Sequence, residues 1–543
     1  MLISKIDLSS RRIQGIIGIS ILISATCLAW HPVIGIPFLN DDFQILGWHN
    51  PQSFLDCFKN FFNNDVTVYY WRPIQNIFHA LTKYLFGMNP VAYRIENLII
   101  YIISVLLVRK LIFSFSKNEL TASMTALIFA LLPAHELAVG WIASRGDVLA
   151  ALFLLIAVLF YNYGISGRKK LYYYLSLLSF ILAALSKESA TLGILLPFVL
   201  IKFDSNSVKS LKNATRAFLI ATSILFFLFL LRYLFFEWDL FNSPNIKNVN
   251  PSTYLFNYFA IIPVSILSAE QIEYLLILSY KSTFMLIVLC TLALCFTAFL
   301  FYVYRELQKE EKLIAQFGLV WFLLFNIPAS LMLMRWYTFI SSVGLVIFFG
   351  VIFSYLFKIE KFPIAKPALI MLLFYFAVIN NSQMLKWQSV GKTVNSALQS
   401  FKQFDLFKYK KIVLWGVPDK IERINAMKIG VQQAVEFSIG GRKLEVESPL
   451  RIETSANCKI NIEQKANGEF LLTSENARFL PIGEKTKAFI TNENLSYGNN
   501  DYHLNITTTV INNIPRTQAE IILFTKDTTI LNLYFDGKKF VKM

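Results

Sequence analysis

The chain has 543 residues, 55% of them hydrophobic and 16% charged, with 50 Phe and 24 Tyr. A polypeptide this apolar is not a soluble globular protein, and most of it is built to face lipid. Its formal charge of +16, from 51 Lys and Arg against 35 Asp and Glu, does not mark a nucleic-acid binder, because no basic patch is interleaved with aromatic residues.

Apolar runs of about 17 to 25 residues suffice to cross a hydrocarbon core as helices. In chain order they predict spans at 13–36, 92–113, 120–134, 147–163, 171–186, 189–202, 216–235, 281–303, 315–333, 337–357 and 366–380, eleven in all. The first is read as an uncleaved helix, since 13–36 exceeds a usual signal-peptide core and no clean cleavage site follows. Segment 255–267 is apolar but short and carries Pro263, so it is assigned to an interfacial or re-entrant helix. With a cytoplasmic N-terminus, this parity places the basic clusters SSRR (9–12), VRK (108–110), GRKK (167–170) and YRELQKEEK (304–312) inside. Loops 37–91, 135–146, 187–188, 236–280 and 334–336 fall outside.

Beyond Lys411 the pattern changes to short alternating runs, KIVLWGV, EFLLTS, HLNITTTVI, AEIILF and ILNLYF, which predict strands. IGGRK (439–443) and FDGKK (535–539) read as hairpin turns. The fold class is therefore an all-α polytopic membrane domain, 1–405, followed by a small β-rich extracytoplasmic domain, 406–543. Five cysteines show neither CxxC nor His-linked spacing, which speaks against a zinc site.

Charged residues recur at the outer helix ends. They are Asp41 and Asp42 in FLNDDFQILGW, Arg72 in YYWRPIQ, Arg94 and Glu96 in YRIEN, and Lys187 and Glu188 in LSKES. His135, Glu136, Arg145 and Asp147 lie in LLPAHELAVGWIASRGD, and Arg335 in LMRWYTF. A charge at membrane depth costs about 2.5 to 3.5 kcal/mol even on insertion scales, so several near one boundary predict a polar cavity rather than separate anchors. Adjacent carboxylates cannot both be desolvated and ionised cheaply, so at least one pKa of the Asp41–Asp42 pair should rise. That suits a general base or a metal ligand, whereas a solvated loop or a helix cap is the bland alternative. Neither GxxxxGK[ST] nor GxGxxG occurs in a strand-to-helix setting, so a nucleotide-sugar donor has no visible cradle.

The order of segments carries a resemblance. NDD follows the first apolar run, then come WRPIQNIFHALTKYLFGMNPVAYRIENLIIY (71–101), LLPAHELAVGWIASRGDVLAALFLLIAVLFY (131–161), LAALSKESATLGILLP (182–197), MRWYTFISSVG (334–344) and a later Lys386–Trp387. This order resembles the membrane module of the tetratricopeptide-containing transmembrane O-mannosyltransferases, and more broadly the C-type (GT-C) polyprenyl-phosphate-dependent glycosyltransferases that include the protein O-mannosyltransferases. The resemblance runs over residues 10–405.

It implies a multi-pass enzyme that moves a sugar, mannose first among the choices, from a polyprenyl-phosphate donor to a hydroxyl of a protein or glycan acceptor on the outer face. An acidic residue of the first outer loop, Asp41 or Asp42, acts on the acceptor in such enzymes. A base for the acceptor proton and cations for the departing phosphate are what the chemistry needs, with inversion at C1 following from a single displacement. Arg335 is the first choice of cation, followed by Arg72, Arg145 and Lys187, since a guanidinium offers phosphate two parallel bonds. Glu136, Glu188 and Tyr337 are assigned to support them, and His135 to a structural hydrogen bond. No cofactor is required and no metal site is assigned, while a carboxylate-bound divalent ion stays open. Such an enzyme belongs in the inner or plasma membrane of a bacterium, or the endoplasmic reticulum of a eukaryote. A transporter or flippase is the rival of another class, but the charges gather on one side and no two halves repeat. A non-catalytic glycan-assembly protein is the third reading. The named family carries helical repeats downstream where this chain has a β-rich region, which leaves the acceptor open.

Overall fold

A computed structural model describes residues 11–59, 61, 70–165, 170–203, 207–235, 250–331, 334–360, 362–441, 443–455, 457–482, 493–511, 514–524 and 527–543. They divide into two compact units. One holds the described residues up to His31 and those of Pro51–Met384; the other holds Pro32–Asn50 and Leu385–Met543. The expected boundary at 405/406 lies inside the second unit.

Among the described residues, eight helices are long and apolar enough to cross a bilayer: Gly15–Gly35, Pro90–Ser116, Ile142–Gly164, Leu211–Phe235, Thr283–Glu306, Lys309–Ala329, Arg335–Lys358 and Ala365–Gln403. A ninth forms if Glu119–Leu131 and Pro133–Gly140, bent by 50° at their junction, count as one span. The chain is a polytopic helical membrane protein with a β-rich C-terminal region.

Nine of the eleven expected spans coincide with these crossings, 315–333 over its described residues, and two fall short of a regular crossing. Lys170–Ser186 is apolar yet only 17 residues long. Residues 189–202 do not form one α-helix. They are a 3-10 helix Glu188–Leu195, a short α-helix Leu196–Leu200 and a 3-10 turn Ile201–Phe203. Gly193, where a Cβ would strike the Leu154 side chain, and Pro197, which lacks an N–H, account for the break. Segment 255–267 is a helix, Pro251–Val264, that carries Pro263 in its last turn. A second helix, Ala269–Lys281, follows behind a capping box made by Ser268 and Gln271.

Two spans approach closely through glycine. A Cβ on Gly318 of helix Lys309–Ala329 would lie 2.6 Å from the Gly344 carbonyl oxygen, so helix Thr338–Lys358 packs backbone to backbone there. Trp321 Nε1 donates to the Ile340 carbonyl at 2.8 Å across the same contact. These two helices bury Phe322, Ala329 and Leu345 with Ile261 of the proline-bearing helix.

The described residues of the second unit form two sheets. In the first, strand Lys411–Ile421 pairs in parallel with both Glu445–Thr454 and Ile530–Phe535, and Phe540–Lys542 and Ala477–Pro481 form its edges. The second is antiparallel, ordered Asn461–Ala466, Glu469–Ser474, Ile514–Leu523, Tyr502–Ile511, Glu493–Gly498. FDGKK is a hairpin turn: Phe535 pairs with Phe540, Gly537 sits at φ 108°, and Asp536 Oδ1 accepts from the Lys538 and Lys539 amides at 2.8 Å. IGGRK is not. Its Gly440 and Gly441 take φ of 81° and 84° on leaving helix Val431–Ser438, and that helix links two parallel strands, which no hairpin can join.

Candidate active site

Within the membrane unit, three of the expected cations meet around one aromatic turn. Arg335, Trp336 and Tyr337 form a 3-10 turn ahead of helix Thr338–Lys358, closed by Thr338 Oγ1 donating to the Arg335 carbonyl at 2.8 Å. Arg335 Nη1 pairs with Glu136 Oε1, and its Nη2 donates to the Leu267 carbonyl at 3.2 Å. Trp336 packs edge-on against Trp141, with centroids 5.2 Å apart. Lys187 Nζ lies 4.6 Å from the Tyr337 ring centroid and 2.8 Å from Asp147 Oδ2, both charged side chains being almost wholly buried.

Arg72, the residue before helix Pro73–Phe86, donates Nε to both Glu188 oxygens at 3.0 and 3.1 Å and Nη2 to Oε2 at 3.0 Å. Its charge is also coupled to Tyr337 and Asp147, which makes Arg72, Glu188, Lys187, Asp147 and Tyr337 one electrostatic group. The glycine of SRGD makes this approach feasible, since a Cβ on Gly146 would lie 2.9 Å from the Ser186 carbonyl just ahead of Lys187. Arg72, Glu188, Arg335 and Tyr337 are half-buried.

Arg145 stands apart. It is fully buried, with Nε on Asn97 Oδ1 at 2.7 Å, Nη1 on Thr82 Oγ1 and Glu96 Oε2 at 3.0 Å, and Nη2 on the Tyr93 carbonyl at 3.2 Å. All three guanidinium nitrogens are engaged, which is the geometry of a brace between helices. Arg94 likewise donates to the Gly140 carbonyl. His135 has both ring nitrogens engaged, Nδ1 with Tyr101 Oη and Nε2 with Ser342 Oγ, each at 2.8 Å, in keeping with its expected structural role.

The acidic pair belongs to the second unit, at the start of helix Asp41–Trp48. The two carboxylates are not equivalent. Asp42 is fully buried and its Oδ2 accepts from the Leu39 amide at 3.1 Å. Asp41 is half-buried and accepts from Asn40 Nδ2. Burial pushes the Asp41 carboxyl up to about 7, helped by the neighbouring Asp42 charge and opposed by a backbone hydrogen bond and by Lys428. A carboxyl near neutrality is suited to proton transfer at physiological pH. Among the described residues, no three His, Cys, Asp or Glu side chains gather as a metal-ligand set.

Asn40 and Lys428 were not singled out in the sequence, and only the NDD triplet could have drawn attention to Asn40. Asp147 was noted there without its partner Lys187.

Comparison with known proteins agrees with the sequence resemblance over a limited stretch. Ninety-six residues, 17% of this chain, are 38% identical to protein O-mannosyl-transferase TMTC1 of Homo sapiens, and the Mus musculus protein matches at the same level. The match spans a tenth of the length of those relatives. No family model matches the chain. Among solved structures, ArnT from Cupriavidus metallidurans bound to undecaprenyl phosphate aligns with a TM-score of 0.46 at 12% identity, over 82% of this chain and 94% of that one. Its apo form aligns with a TM-score of 0.47 at 12% identity, over 80% and 86%. Likeness at that level fixes neither substrate nor mechanism.

Proposed function

We propose that this protein is a membrane glycosyltransferase that moves a sugar, mannose the first to test, from a polyprenyl-phosphate donor to a hydroxyl of a protein or glycan acceptor. The observation that carries the reading is the gathering of Arg335, Lys187 and Arg72 about the Arg335–Tyr337 turn. Cations held by Glu136, Asp147 and Glu188 at the ends of apolar helices suit a lipid-borne phosphate, whose tail lies in the bilayer while its charge needs such partners. Kinship with the O-mannosyltransferases over 96 residues supports the choice of sugar and acceptor atom.

In the proposed reaction the acceptor oxygen attacks C1 of the sugar, the bond from C1 to the phosphate oxygen breaks with its electron pair going to phosphate, and the acceptor proton passes to Asp41. A single in-line displacement inverts C1. Arg335, Lys187 and Arg72 hold the phosphate as its charge grows. Asp41 serves as the base because it is the less buried member of the pair, while Asp42 ties the helix start to the Leu39 amide. Arg145 acts at one remove, as the brace that keeps its helix in register. No cofactor enters this scheme, and a chelator titration of transfer decides whether a divalent ion assists it.

The proposed sidedness, with the C-terminal region extracytoplasmic, is read by a topology reporter fused after Met543. The activity is tested with polyprenyl-phosphate mannose and a Ser/Thr peptide in nanodiscs. Loss of transfer in Asp41→Asn and Arg335→Ala with normal expression supports the reading. Undiminished transfer in both refutes it.

A further inference from the structure

The segment ahead of Asp41 is held by a loop of the C-terminal sequence nearly four hundred residues away. Asn40 donates its amide to the Ala426 carbonyl at 2.8 Å, and its Oδ1 accepts from the Ile429 amide at 2.9 Å. While making both bonds Asn40 adopts φ 51° with ψ −126°, a backbone conformation outside the left-handed helical region that glycine enters more readily than other residues. Gly430 follows at φ 75°, where a Cβ would lie 3.0 Å from the Gln44 amide nitrogen and 3.2 Å from the Asn40 carbonyl. Phe38 and Phe43 pack on Phe437, each with centroids 6.3 Å away.

The loop itself is fixed to the sheet. Ala426 and Met427 amides donate to the Asp419 and Pro418 carbonyls, each at 2.9 Å. Arg451 Nη1 donates to the Met427 carbonyl at 3.0 Å and pairs with Asp419 at 3.3 Å. A path of hydrogen bonds thus runs from strand Lys411–Ile421 through residues 426–430 to the residue next to Asp41.

We propose that the Ala426–Gly430 loop is the positioning element of the acceptor-side base, with Asn40 as its clamp. The inference rests on the reading of Asp41 as the base. The C-terminal region is then part of the transfer machinery rather than an appendage.

The test uses the full chain in nanodiscs, with Asp41→Asn as the reference. Asn40→Gly, which loses the bond to the Ile429 amide, and Gly430→Ala, whose Cβ would press on Gln44 and Asn40, should each lower kcat about tenfold, with KM for polyprenyl-phosphate mannose changed by less than about twofold. Carbodiimide labelling of Asp41, read by mass spectrometry without substrate, should rise at pH 7 in both variants as the carboxylate loses its held position. Wild-type kcat and labelling in Asn40→Gly and Gly430→Ala, beside an inactive Asp41→Asn, would overturn the positioning role and leave the base assignment intact. Full activity in Asp41→Asn would instead remove the base assignment, and this inference with it.

Discussion

Arg72 grips Glu188 along the edge of its guanidinium, with Nε 3.0 and 3.1 Å from the two carboxylate oxygens and Nη2 3.0 Å from Oε2. A planar fork does this and an ammonium cannot. Arg72→Lys should therefore lower transfer although the charge is kept. Arg72→Ala and Glu188→Ala together should lose less than the product of the two single losses, with a coupling on the order of 1 kcal/mol in a double-mutant cycle. Strictly multiplicative losses would show that the pair does not act as a unit.

Asp41 sets the expected pH dependence. Its carboxyl is raised to about 7, chiefly by burial, so the proton-accepting form prevails only above that pH. Transfer should climb as pH rises through about 7 and level off beyond it. Stability runs the other way. The folded state holds a proton that the unfolded chain, with its ordinary carboxyl near 3.8, gives up between those two values, so stability falls as pH rises across that window. Asp41→Asn removes the penalty and should melt at or above the wild-type temperature at pH 8 while having lost transfer. A pH-independent rate from 5 to 8 would exclude this group as the base.

The spans were legible in the sequence because length and apolarity are themselves the physics of crossing a bilayer. Residues 188–203 were harder to read, since Gly193 and Pro197 break a helix without making the run less apolar. IGGRK suggests a hairpin in sequence because paired glycines serve a helix exit as well as a strand turn. In the site, each charge stood out by its cost in lipid, but the partners did not. Arg72 meets Glu188 across 116 residues and Arg335 meets Glu136 across 199, pairings that depend on which helices become neighbours. The hold of residues 426–430 on Asn40 was hidden for the same reason, and Arg145 looked like a phosphate ligand until Asn97, Thr82 and Glu96 closed around it.

Lys187 and Asp147 are 2.8 Å apart with side chains 4% and 2% exposed. Removing one partner leaves the other charge without its counter-ion in a low-dielectric setting, at a cost of about 3 to 5 kcal/mol. Lys187→Met should thus lower the melting temperature in detergent, and Lys187→Met with Asp147→Leu should recover most of the loss. Transfer should stay low in both, because the proposed phosphate ligand is gone. Recovery of transfer along with stability in the double variant would reduce Lys187 to a structural residue.

Gly344 links packing to the site. A side chain there would overlap the Gly318 carbonyl and the Phe322 amide nitrogen, both backbone groups of the neighbouring helix, and neither can move without shifting the helix. Helix Thr338–Lys358 begins where the Arg335–Tyr337 turn ends, so a displaced helix carries the turn with it. Gly344→Ala should cost about 1 to 3 kcal/mol through overpacking and lower transfer beyond what the lost folded fraction explains. Leu323→Ala, on the exposed side of helix Lys309–Ala329, is the control and should change neither melting nor transfer much. If Gly344→Ala melts and turns over like the wild type, the helices have room to separate at that point, and the turn is not held by their contact.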